Sequence, residues 1–139
     1  MAIRLNDPLR TIIADRVSSY LSGTGGTSGS AGALRVYGGT QPTDGGGTAG
    51  TQEILVRIDG IAWSAGSNGT TAIVATKTGT AGTSGTASWA RLSGTNGTAY
   101  IIDGSCSTSA TADFVLDVMV ITFEEVVTLS AATIVQPGS

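Results

Sequence analysis

Along the first 22 residues, apolar side chains recur at three- and four-residue intervals. Leu9, Ile12, Ile13, Val17, Tyr20 and Leu21 fall on one side of a helical projection, with Arg10, Thr11, Asp15, Ser18 and Ser19 opposite. Asn6 or Asp7 can accept a bond from the free N–H groups of a first turn. Pro8 fits the first helical position, where its missing donor would have been unpaired anyway, and Gly23 ends the segment. One amphipathic helix is predicted. Its stripe seeks an apolar partner, either in its own domain or on another subunit or larger shell.

Past residue 32 the period changes to two. In "ALRVYGG" Leu34 and Val36 alternate with Arg35 and Tyr37, and in "EILVRID" Ile54, Val56 and Ile58 alternate with Glu53, Leu55, Arg57 and Asp59. One wet and one dry face per segment predicts antiparallel strands. Asn68-Gly69 lies between Trp63 and Ile73, and Asn96-Gly97 between Trp89–Leu92 and Ala99–Ile102. Asn-Gly tolerates the positive φ of tight hairpin turns, so two hairpins are expected. "DFVLDVMVITF" directs Phe114, Leu116, Val118 and Val120 one way and becomes apolar on both faces near Ile121 and Phe123, and "VVTLSAATIV" follows as a closing strand. Both are expected in the centre of the core.

These elements predict a mainly β fold: an antiparallel β-sandwich of jelly-roll type with one N-terminal amphipathic α-helix. The chain divides into an arm and helix over residues 1–22, a Gly/Ser-rich linker over 23–32 and the β domain over 33–139. Gly, Ser and Thr make up 57 of the 139 residues and concentrate between apolar runs, as in "LSGTGGTSGSAG", "TDGGGTAGT" and "TKTGTAGTSGT", which read as loops. Recurring phrases lack the fixed spacing of a solenoid.

Charge narrows the function. Seven basic against ten acidic residues give a net charge of −3. Nucleic-acid ligands want clustered cations that release counterions, so no nucleic-acid partner is expected. No apolar run approaches the ~18 residues of a spanning helix, so no membrane partner is expected either. The opening "MAIRLNDPLR" lacks a basic leader and apolar h-region, which predicts synthesis and retention on the cytoplasmic side. On that expectation the N-x-T patterns at Asn68 and Asn96 are turns rather than glycosylation sites.

The chemical inventory is sparse. With no His, the usual general base and the Ser-His and Cys-His nucleophile pairs are missing. Cys106 is the sole cysteine and reads as a buried small hydrophobe. Asp113 and Asp117 share a strand face about 13 Å apart, too far for a glycosidase pair. Glu124-Glu125 read as solvated edge or turn residues. "DGGG" lacks the Lys-Ser/Thr of a phosphate loop, and Lys77 sits in a polar tract rather than a desolvated pocket. No enzyme activity, catalytic residue, metal site or cofactor is expected.

The layout of "LNDPLRTIIADRVSSYL", a glycine linker, "GALRVYGGTQPTDGGGTAGTQEILVRI" and "SGTASWARLSGTNGTAYIIDGSCSTS" resembles a family of small virion proteins of tailed bacteriophages. Val36-Tyr37-Gly38-Gly39-Thr40-Gln41-Pro42 carries the first phrase of the likeness, and Gly85 to Trp89, Arg91, Gly97 and Asp103-Gly104-Ser105 carry the second. Ala90 stands where the family pattern has an aromatic, and the step from Gly97 to Gly104 is one residue longer. The resemblance covers nearly the whole chain and implies a structural protein of the virion, assembled in the host cytoplasm. Capsid decoration is the first expectation, with the major capsid protein or other virion proteins as partners and a homo-oligomer, a trimer first, as the assembly. Candidate contacts are Ile3, Leu5, Leu9, Ile12 and Ile13 of the arm and helix, with Tyr37 as an exposed aromatic. The alternative is a tail, neck or fibre component in which Trp63, Trp89, Tyr37 and Tyr100 form a sugar-stacking platform.

Overall fold

A computed structural model of the chain describes residues 5–21, 32–43, 52–93 and 102–135. Helix α1 (Asp7–Leu21) precedes β1 (Gly32–Tyr37), β2 (Ile54–Ile61), β3 (Thr70–Ala72), β4 (Lys77–Thr80) and β5 (Gly85–Thr86). Then come β6 (Trp89–Ser93), β7 (Ile102–Ser107), β8 (Phe114–Leu116), β9 (Val120–Ile121) and β10 (Val126–Val135). The fold is mainly β with one helix, as the sequence pattern predicts.

The strands do not form two purely antiparallel layers. The larger sheet runs in the order β2-β1-β6-β7-β8-β10-β3, with β4 also paired to β10, while β5 and β9 make a small separate ribbon. The large sheet is mixed, because β7 and β8 are parallel, Cys106 opposite Phe114 and Ser107 opposite Val115. It curls strongly, in the manner of a half-barrel, until β4 lies beside β2. There Val56 bridges Ala81, supported by Gly82 N–H to Leu55 O at 3.0 Å, while Trp63 bridges Ile73 and Ser64 N–H binds Ala72 O at 2.7 Å within the hairpin that follows β2. A curled sheet and a sandwich impose the same in-and-out alternation on each strand, so alternation does not separate them.

The concave side holds the core. Leu34, Val36, Ile58, Leu92, Leu116 and Leu129 are among its residues, each at most 1% exposed. Full burial of each such side chain contributes about 1.5–3 kcal/mol. Cys106 belongs to the same cluster, where loss of hydration pushes its thiol up to about 11.

Two strands depart from their simple alternation for identifiable reasons. Val36 pairs with Val56 but Tyr37 pairs with Ile54, so Leu55 is the extra residue of a bulge. That residue turns inward and Ile54 outward, at 5% and 41% exposure, reversing the expected faces. "DFVLDVMVITF" is not one strand. It breaks at Asp117, whose Oδ1 accepts the Thr128 N–H at 2.8 Å, and resumes as β9 in the other sheet. The tract expected as the loop "TKTGTAGTSGT" instead carries β4 and β5, because branched threonines tolerate the extended backbone once partners β10 and β9 are present.

The Asn68-Gly69 hairpin forms as predicted, with φ of 49° and 77° at its two central residues. The β6–β7 hairpin also pairs as expected, Leu92 opposite Ile102. Its Asn96-Gly97 turn, like most of the 23–32 linker, lies outside the described residues.

Candidate functional site

Helix α1 begins at a capping residue: Asn6 Oδ1 accepts the Leu9 N–H at 3.1 Å. The helix docks against the Trp63–Ile73 hairpin through a face that the apolar pattern did not single out. Among the described side chains, which do not include Tyr20, its buried residues are Arg10, Ala14, Ser18 and Leu21, at i, i+4, i+8 and i+11, with 7%, 0%, 7% and 1% exposure.

Close approach of backbones explains this choice. Gly66 donates its N–H to Asp15 Oδ1 at 2.5 Å, and a Cβ on Gly66 would lie 2.7 Å from both the Thr11 carbonyl oxygen and the Asp15 nitrogen. Large side chains cannot enter such a contact, whereas Ala14 and Ser18 can. Arg10 lies over the turn at Gly69 and pairs with Asp7 at 3.0 Å.

The predicted stripe is therefore divided. Leu21 enters the core and Val17 packs against it, while Leu9 and Ile12 face outward at 43% and 58% exposure. Of the other predicted contacts, Leu5 and Ile13 are half-buried, and Ile3 lies outside the described residues. The side chain of Arg16 is exposed, and its helical spacing from Leu9 and Ile12 places it on the same side of α1.

Tyr37 is not an exposed aromatic. It is 6% exposed and stacks on Trp89 with ring centroids 4.4 Å apart. The two are direct cross-strand neighbours on the convex side of β1 and β6. Trp89 donates its Nε1–H to Gln52 Oε1 at 2.9 Å, and the Arg91 guanidinium lies 5.4 Å from the Trp89 ring centre. Trp63 is 7% exposed, and Tyr100 lies outside the described residues. The sugar-stacking platform thus has three of its four rings buried and placed for packing.

Other candidate chemistry is occupied structurally. Asp113 Oδ2 accepts both the N–H and the hydroxyl of Ser105, each at 2.8 Å, and Glu125 Oε2 accepts the Thr122 N–H at 2.8 Å. A cleft of about 200 Å³ lies where β7, β8 and β10 meet, lined by Asp103, Asp113, Phe114 and Ile134 among others. Its carboxylates are those engaged with Arg91 and Ser105. Among the described residues no three His, Cys, Asp or Glu side chains gather as a metal site, and no helix is long and apolar enough to cross a membrane.

A second exposed apolar surface has no counterpart in the hydrophobic pattern of the sequence. Val120, Phe123 and Val126 are 69%, 58% and 58% exposed. The turn that carries Phe123 is firmly held: Phe123 N–H binds Ser84 Oγ at 2.8 Å, Glu124 N–H binds Ala81 O at 2.9 Å, and Glu125 N–H binds Thr122 O at 3.0 Å. Glu124 adopts φ of 67°, a left-handed conformation that is uncommon outside glycine. The signal for this turn in "TFEEV" was weak, because its left-handed position carries no Gly or Asn.

Set against protein-family models, curated proteins and solved structures, the chain matches none of them.

Proposed function

We propose that this chain is a non-enzymatic virion structural protein that occupies repeated sites on a larger protein assembly, with capsid decoration as its role. The observation that carries this reading is the orientation of α1. The helix is anchored through Arg10, Ala14, Ser18 and Leu21, and this leaves Leu9 and Ile12 presented outward on a docked element. An apolar surface held in that way is suited to meeting another protein. The partners this reading assigns to the chain are the major capsid protein or other virion proteins, and several copies associate as a homo-oligomer, a trimer first.

Immunogold electron microscopy of intact phage particles, with an antibody raised against the chain, tests the location. Dense label over the heads supports decoration, and label confined to tails overturns it in favour of a tail or neck component. Ile12→Asp tests the surface: the variant should keep its near-UV circular dichroism and lose particle binding. Retained binding would remove α1 from the interface.

A further inference from the structure

Six of the eight exposed large hydrophobic residues among those described fall into two groups: Leu9 and Ile12 on α1, and Ile54, Val120, Phe123 and Val126 around the turn after β9. The second group belongs to one end of the sheet. Phe123 and Glu124 are bonded to Ser84 and Ala81, and Gly82 is bonded in turn to Leu55, beside Ile54.

The two groups occupy opposite ends of the same strand path. Ile54 starts β2, while the hairpin that receives α1 begins after β2 ends, at Trp63 and Ser64. The chain between them runs the length of β2, shortened by the bulge at Leu55 and by a bend at Gly60, where φ is 70°. They also differ in charge. The segments that build the Phe123 end, residues 37–43, 52–56, 80–87 and 118–127, contain Glu53, Glu124 and Glu125 and no Lys or Arg. The outward side of α1 sets the exposed Arg16 beside Leu9 and Ile12.

We infer that the outward face of α1 on one copy docks against the Phe123 end of a second copy, in a head-to-tail contact. This rests on the reading of Leu9 and Ile12 as assembly contacts and names their partner. Apolar side chains meet apolar side chains, and Arg16 meets the acidic rim at Glu124, an arrangement that fixes orientation and disfavours like ends meeting. The firm hydrogen bonding of the Phe123 turn presents that ring in one position before binding, which reduces the ordering cost of association. Because the two surfaces differ and lie on opposite ends, the contact is heterologous and propagates beyond a dimer, closing into a ring or extending as a chain according to the rotation between copies.

Sedimentation velocity of the purified full chain and of two variants, Ile12→Asp and Phe123→Asp, decides the matter. Both positions are more than half exposed, and unchanged circular dichroism verifies that each variant is folded. The wild-type chain should form species larger than a dimer as concentration rises, and less so at high salt. Each variant alone should be monomeric, and an equimolar mixture of the two should give dimers and nothing larger, since only one intact pair of surfaces remains. Arg16→Glu should weaken association, and the double variant Arg16→Glu with Glu124→Arg should regain it. A wild-type chain that stays monomeric up to its solubility limit overturns the inference. So does self-association that survives Phe123→Asp, or a mixture that fails to dimerise. If the wild type is monomeric yet particle binding is lost with Ile12→Asp and kept with Phe123→Asp, the assembly role stands and the copy-to-copy contact falls. If Ile12→Asp leaves particle binding intact, the assembly role of α1 falls whatever the sedimentation result.

Discussion

Arg91 and Asp103 face each other across the β6–β7 pair and join by two parallel bonds, Nε to Oδ1 at 2.7 Å and Nη2 to Oδ2 at 2.8 Å. Their side chains are 11% and 2% exposed. The bond to Asp103 and its negative charge raise the Arg91 pKa against the opposing effect of burial, so the guanidinium stays charged. Removing one partner leaves the other charge buried and uncompensated. Asp103→Ala should lower the free energy of unfolding by about 3–5 kcal/mol in a urea titration.

The stacked Tyr37 and Trp89 make a second prediction. Trp89→Ala should cost about 3–5 kcal/mol, the usual loss for a large buried aromatic, and Trp89→Phe much less. Since both rings are buried, at 6% and 1% exposure, Tyr37→Phe should leave particle binding unchanged. A loss of binding in a normally folded Tyr37→Phe protein would return Tyr37 to the contact surface.

Cys106 predicts an alkaline limit. Its thiol is raised from 9.0 to about 11 by burial, so between those values the unfolded chain releases a proton that the folded chain retains. The unfolded state then binds fewer protons, and stability falls as pH rises from about 9 to about 11. Below that window the contribution is fully present. Cys106→Ala should flatten this part of a stability-against-pH profile, and at pH 8 a thiol reagent should label Cys106 only after denaturant is added.

The docking of α1 predicts opposite outcomes for neighbouring helix positions. Ala14→Leu and Gly66→Ala each force atoms into a contact with no room, and should destabilise the protein by about 1–3 kcal/mol. Leu9→Ser points into solvent and should change thermal stability by no more than about 0.5 kcal/mol. Equal effects at Ala14 and Leu9 would show that α1 docks by another face.

Much of the local structure was legible from the residues alone. Asn6-Asp7-Pro8 marked the start of α1 because capping and a restrained φ act within one turn. Asn68-Gly69 marked a hairpin because its left-handed backbone is a property of those two residues. The mainly β character, the burial of Cys106 and the closing strand Val126–Val135 also follow from short-range preference and hydrophobic alternation.

Tertiary structure decided which faces those elements use. Alternation records that a strand has two sides, but it contains no information about whether the sheet stacks on another or curls upon itself, and the parallel β7–β8 pair joins segments that no turn signal connects. A bulge at Leu55 exchanges the faces of two adjacent residues through a single inserted position. Most consequentially, the strongest apolar stripe of α1 did not select its docking face. The tight approach to Gly66 admitted Ala14 and Ser18 and left Leu9 and Ile12 outside, because the fit of backbone against backbone outweighed the hydrophobicity of the larger side chains.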